Sequence, residues 1–210
     1  MRRPSSRIRV GGAGMLAASA LLLVELPCAH AEPTAVDRAA CDGQVAEQPF
    51  APWGDLAAYV LVPNGTIETR GSWTFESSAA RVRGNETFYV HADDDAWSLA
   101  LPAGSSATTA PMCVSVEHPT LRFFARNRGS WLSSLRIEVL FTDATGTRGS
   151  VPVGTHLAGA AWQPTSPFLV TANVASLLGE GHIDVAFRFT PQGAGDWSID
   201  DIYVDPFRHG

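Results

Sequence analysis

Apolar and polar residues alternate with a period of two along much of this chain. In Leu121–Arg126, the residues Leu121, Phe123 and Ala125 share one side. In Leu135–Phe141 and in Ile183–Phe189, every odd position is apolar. Successive side chains of a strand point to opposite faces, so each segment predicts a strand with one side in a core and one side outward. Shorter stretches predict strands at Ala57–Val62, Trp73–Phe75, Ala79–Arg83, Thr87–His91, Trp97–Leu101, Met112–Val116, Phe168–Ala172 and Ile199–Val204. Turn-forming residues separate them, as in Pro63-Asn64-Gly65, Asp93-Asp94-Asp95, Thr145-Gly146 and Gly193-Ala194-Gly195-Asp196. Long helical periodicity is absent; Val174–Leu178 predicts one helical turn at most. Many short strands at this spacing predict an all-β fold, a two-sheet antiparallel sandwich. A jelly roll ranks ahead of an immunoglobulin-like arrangement.

The first residues break the alternation. Arg2, Arg3, Arg7 and Arg9 precede an apolar stretch from Gly11 to Val24, and Ala29-His30-Ala31 has the small-x-small form of a cleavage site. This is the pattern of a secretory signal peptide over residues 1–31. Retention as an anchor stays open. Residues 32–52 read as a lead-in and 53–207 as a single sandwich domain. The whole chain carries a net charge of −6 and all 15 of its basic residues are arginine. Without residues 1–31, 11 arginines face 20 acids, a charge of −9. An acidic surface disfavours nucleic acid and anionic membranes. The expectation is a secreted protein with no nucleic-acid partner and no membrane attachment after cleavage. Oligomeric state is not legible. Cys28 leaves with the signal, so Cys41 and Cys113 are expected to pair in an oxidising compartment. That bridge closes a loop of roughly 70 residues and contributes about 3–4 kcal/mol in the chain-entropy account.

The outward positions of the three clearest strands are Arg122, Phe124 and Arg126; Arg136 and Glu138; Asp184 and Arg188. On one sheet they would form a polar face around Phe124, with planar guanidinium donors suited to hydroxyls or carboxylates. Acidic sugars such as uronates would suit it. The same residues also read as ordinary cross-strand charge pairing. Of six tryptophans, Trp73, Trp97 and Trp197 lie in strand patterns and read as core. Trp53 and Trp131 follow turn residues and read as exposed platforms; Trp162 is undecided. No HExxH, C-x-x-C or G-x-S-x-G motif occurs, which argues against zinc and serine chemistry. Asp93-Asp94-Asp95 lacks the spaced acids and closing Glu of a calcium loop and reads as a turn.

Two motifs near the ends carry a family likeness. Asn64-Gly65-Thr66-Ile67-Glu68 is followed by Gly71 and Trp73, and Trp197-Ser198-Ile199-Asp200-Asp201-Ile202-Tyr203-Val204 lies near the C-terminus. Together they resemble the jelly-roll carbohydrate-binding modules of the xylan- and β-glucan-binding type, with Ile67 where that family has Phe. The resemblance implies that the two segments lie side by side, joined by a structural calcium ion. Calcium takes 6–8 oxygen ligands. Glu68, Asp200 and backbone carbonyls are the expected donors, with Asp201 as substitute for Asp200. Pro52-Trp53-Gly54-Asp55 and Pro119–Asn127 are also similar to exported proteins of high-GC bacteria.

The sequence thus leads to a secreted, non-catalytic binding domain for a polysaccharide or other glycan. The expected contact residues are Trp53, Arg122, Phe124, Arg126, Trp131, Arg136, Glu138 and Arg188. An extracellular structural or protein-interaction sandwich with no small ligand is the alternative. A polysaccharide hydrolase is the third reading.

Overall fold

A computed structural model of the chain describes residues 43–115, 118–142, 146–170 and 182–205. The expected signal peptide, Cys41 and the Val174–Leu178 turn lie outside them. Among the described residues no helix is long and apolar enough to cross a membrane.

The strands, in chain order, are β1 (Ala46–Glu47), β2 (Tyr59–Leu61), β3 (Thr74–Glu76), β4 (Ala80–Arg83), β5 (Trp97–Leu101), β6 (Ser106–Thr108) and β7 (Met112–Ser115). They continue with β8 (Thr120–Asn127), β9 (Ser134–Thr142), β10 (Arg148–His156), β11 (Gln163–Pro164), β12 (Phe168–Leu169), β13 (His182–Gln192) and β14 (Trp197–Val204). All pair antiparallel, in two sheets. The first sheet runs β1-β2-β14-β5-β4, with β8 on the other edge of β14 and β11 and β12 beside β8. The second runs β10-β9-β13-β6-β3, with β7 also on β13. The fold is a jelly-roll β-sandwich.

The core is the set of inward positions that the alternation marks. Leu121, Phe123 and Ala125 of the first sheet meet Leu135, Ile137, Val139, Val185, Phe187 and Phe189 of the second, all fully buried. Trp73 stacks on Phe189 with ring centroids 6.0 Å apart, and Trp197 donates through Nε1 to Ser133 Oγ at 2.8 Å. Burial of these side chains stabilises the fold by roughly 1.5–3 kcal/mol each. Trp97, expected in the core, is only half-buried and lies outside the core cluster, its ring covered by the Arg81 guanidinium at 3.6 Å.

Three expectations are corrected. Strands β8 and β9, neighbours in sequence, belong to different sheets, so Arg122, Phe124 and Arg126 do not share a face with Arg136, Glu138 and Arg188. Thr87–His91 is not a strand: the Glu86 carboxylate accepts the backbone N–H groups of Phe88 and Val90, which removes them from any ladder. The folded body begins before residue 53. β1 pairs with β2, and Phe50 is fully buried against Tyr59 and Phe124.

Candidate functional site

The lead-in reaches across the outer face of the first sheet. Phe50 starts a 3-10 turn over Ala51–Trp53, favoured by Pro52 near its start and closed by Gly54 at φ 79°. The turn sets Phe50 and Trp53 on the sheet. Phe50, Tyr59, Phe124, Trp162 and Tyr203 form a second cluster, separate from the core between the sheets. Trp53 meets Phe88 edge-on at 4.9 Å and Phe124 at 5.3 Å, and Phe88 lies 5.7 Å from Phe124. An open groove of about 530 Å³ runs over these rings, lined by Gln48, Pro49, Pro52, Trp53, Phe88 and Val90. Phe88 is 42% exposed.

One buried carboxylate shapes the groove's second wall. Glu86 is inaccessible to solvent, and its two oxygens accept the N–H groups of Phe88 and Val90. Its own N–H donates to Asp200 Oδ2 at 3.0 Å, tying the wall to β14. Burial pushes the Glu86 pKa up against the pull of those hydrogen bonds. Sequence reasoning missed Phe50 and Glu86. The Phe50-Ala51-Pro52-Trp53 spacing, two rings three apart around a helix-starting proline, was a usable signal; Glu86 had none.

Arg122 and Arg126 stand on the same face of β8, four residues apart with Phe124 between them. Arg122 is buried and fully engaged. Its Nη1 pairs with Asp55 Oδ2, its Nε donates to the Thr165 carbonyl at 2.9 Å, and its guanidinium lies 4.1 Å from the centre of the Phe50 ring. Asp55 also accepts from Tyr59 Oη at 2.7 Å and the Ala57 N–H. Arg126 is half-buried, and its guanidinium lies over the Trp162 ring at 4.5 Å. Its Nε is buried without a hydrogen-bond partner.

The outer face of the second sheet differs. Arg188 sits opposite Glu138 on β9 and opposite Thr108 on β6, and Thr190 sits opposite Arg136. Arg136 pairs with Glu138 at 3.1 Å. Trp131 is on neither face. It lies with Leu132 on the loop after β8, where the two are 84% and 72% exposed. Hydrogen bonds from Ser130 N–H to the Ala194 carbonyl and from Asn127 Nδ2 to the Ser130 carbonyl hold that loop.

The two end motifs are adjacent, as the resemblance implied. The Val62 N–H donates to the Ile202 carbonyl at 3.0 Å, and the Ile202 N–H to the Gly65 carbonyl at 3.2 Å. A Cβ on Gly65 would stand 2.6 Å from the Ile202 carbonyl oxygen, so glycine is required there. The three expected metal ligands do not act as one set. Glu68 Oε1 accepts the Ala96 and Trp97 N–H groups. Arg81 donates to the Ile67 and Glu68 carbonyls, so a guanidinium is the cation beside Glu68. Asp200 is held by the Glu86 and Asp201 N–H groups. Asp201, in the β14 bulge at φ 47°, is different: it is fully buried and neither carboxylate oxygen has a partner. Burial first, then Glu86, Asp95, Glu68 and Glu47, push its pKa up to about 8. Among the described residues no three His, Cys, Asp or Glu side chains converge to hold a metal ion. A cation at Asp201 would need backbone carbonyls to complete its shell.

Cys113 is buried on β7 and disulfide-bonded; its expected partner Cys41 lies outside the described residues.

No family model matches the chain, and no curated protein matches it. Among solved structures, the chain is similar to a Clostridium thermocellum xylanase 10B fragment, a carbohydrate-binding module with a catalytic module, complexed with xylohexaose. The TM-score is 0.46 at 11% identity, over 71% of this chain and 29% of that one. It is also similar to the enzymatically active domain of a bacteriophage CBA120 tailspike protein, with TM-score 0.41 at 15% identity, over 68% and 21%. A third is the xylan-binding domain of Paenibacillus barcinonensis Xyn10C, with TM-score 0.44 at 13% identity, over 70% and 94%. The chain thus spans less than a third of the first two. None of these likenesses assigns a ligand, and none supports the similarity to exported proteins of high-GC bacteria.

Proposed function

We propose that this is a secreted, non-catalytic carbohydrate-binding domain whose ligand lies along the outer face of the first sheet. One observation carries the reading: the open groove lined by Trp53 and Phe88, backed by the buried Phe124 ring, with its second wall fixed by Glu86. Sugar rings present flat C–H faces that pack on aromatic rings, and a preformed groove limits the ordering cost of binding. Polysaccharide is named as ligand for several of the domains of similar fold. The carboxyls tied to the groove wall, Glu86 and Asp200, are sequestered and hydrogen-bonded. Glycoside hydrolysis needs two carboxyls flanking the substrate, so the arrangement favours binding over cleavage. Affinity electrophoresis through soluble polysaccharides tests the reading. Retardation by at least one polymer is expected, and Trp53→Ala should weaken it about tenfold. A chain retarded by none contradicts the proposal.

The exposed Trp131–Leu132 pair favours a second reading, a protein-interaction domain using that loop. Trp131→Ala separates the two, since it leaves groove binding intact unless the loop also touches the glycan.

Three further expectations belong to this reading. The Cys41–Cys113 bridge predicts no titratable thiol in the exported protein. Export predicts that the N-terminus begins after Ala31. The structural calcium narrows to Asp201, whose two buried oxygens fit a hard cation. Chelation should then lower the melting temperature of the wild type and leave Asp201→Asn unchanged; an equal melt with and without chelator removes the metal.

A further inference from the structure

We infer that Arg126 on its Trp162 platform is a carboxylate-binding subsite, so the glycan bound is a uronate-bearing polysaccharide. This rests on the binding reading above and names its substrate class. The contrast with Arg122 carries it. Both arginines project from the outer face of β8 on either side of Phe124, roughly 13 Å apart along the strand. Arg122 spends its guanidinium on Asp55, Thr165 and Phe50. Arg126 feels the charge of Asp200 but makes no described hydrogen bond to it, and its Nε is buried without a partner. A buried donor left unpaired is costly, and native proteins rarely leave one without a reason.

The guanidinium is also pre-set. Stacking on Trp162 fixes its plane while leaving the side chain half exposed. Trp162 belongs to the same aromatic cluster as Phe124, whose buried ring backs the groove residues Trp53 and Phe88, so the subsite lies on the same sheet face as the groove. A planar two-donor fork matches a carboxylate in a bidentate pair, which a neutral hydroxyl cannot reproduce. Neighbouring chemistry points the same way. Trp162 Nε1, beneath the guanidinium, is also buried without a hydrogen-bond partner. Burial and the charge of Arg128 disfavour the Arg126 cation more than Asp200 supports it, and a hydrogen-bonded anion would offset that balance. The chain as a whole is negative and repels acidic polymers in general. Retention of such a polymer would therefore be a local property of this corner.

The test uses the full exported chain and four probes. Polygalacturonate and glucuronoxylan carry the carboxylate; methyl-esterified polygalacturonate and unsubstituted xylan do not. Calorimetry should show at least one acidic polymer binding roughly tenfold more tightly than its neutral counterpart. Raised salt should shrink that ratio. Arg126→Gln should erase the preference while keeping the affinity for the neutral polymer, and Arg126→Lys should restore part of it. Trp162→Phe, a milder change beneath the guanidinium, should reduce the preference without abolishing it. Melting curves show that each variant is folded, and the acid-against-ester comparison needs no variant at all. Equal binding of acidic and neutral polymers overturns the inference and leaves the binding reading standing. A preference that survives Arg126→Gln also overturns it. Binding of none of the four overturns the inference, and retardation by no polymer in the wider electrophoresis series overturns the binding reading as well.

Discussion

The two outer faces of the sandwich carry similar inventories of charge and use them differently. On the second sheet, Arg136 pairs with Glu138, and Arg188 stands opposite that same carboxylate in the strand register. The pairing there is incomplete, since Arg188 Nε, like Arg126 Nε, is buried without a hydrogen-bond partner, but no described ring platform lies beneath it. On the first sheet, the lead-in has brought Phe50, Asp55 and Trp53 onto the strands. Arg122 is consumed, Arg126 is left over, and a groove opens between the rings. What separates a solvated face from a binding face here is the covering segment rather than the strands. A short turn converts outward strand positions into a floor.

That contrast can be broken in several ways. The largest effect is expected from Phe124→Ala, which removes a fully buried ring touching Phe50, Trp53 and Phe88. Unfolding by denaturant should show a loss of about 3–5 kcal/mol, and glycan binding should disappear with it. Next is Glu86→Ala, which frees the N–H groups of Phe88 and Val90 and should collapse the wall. Hydrogen exchange over residues 86–90 should accelerate, and affinity should fall about tenfold, while the second sheet keeps its protection.

A pH series gives a smaller effect. Burial raises the carboxyls of Asp205 to about 6 and Asp201 to about 8, both well above the 3.8 of a free aspartate. The folded chain therefore holds more protons than the unfolded one across that window, and stability falls as pH rises from about 4 towards 8. Melting temperature should decline over this range and recover at pH 8 on adding calcium; a rise with pH would contradict the burial of these acids. The smallest effect belongs to the second sheet. Arg136→Ala, which removes the exposed partner of the buried Glu138, should cost about 1 kcal/mol and leave glycan affinity untouched.

Much of this architecture is readable in the residues, and the unread part has a definite cause. Period-two alternation places Leu121, Ile137 and Val185 inward, and they are buried. It says nothing of which sheet a strand joins, because a jelly roll sends consecutive strands to opposite layers. Arg122 and Arg136 therefore read as neighbours and are not. Alternation is equally silent on what covers an outward position: Phe124 and Arg122 fall on the predicted wet side, yet both are buried by Phe50 and Asp55. The Asn64-Gly65 and Asp200-Asp201 motifs fared better, because a tight approach at Gly65 is a demand that local sequence can express. Even so, the bulge reversed the expected roles: Asp200 is a backbone acceptor and Asp201 is the orphaned carboxylate.

The most direct measurement is a hydrogen-exchange footprint of the full chain with a bound polysaccharide fragment, read over both sheets. The account predicts added protection in residues 48–53, 86–90 and 122–126, with 134–140 and 184–190 unchanged. Protection confined to the second sheet, around Arg136, Glu138 and Arg188, would contradict it.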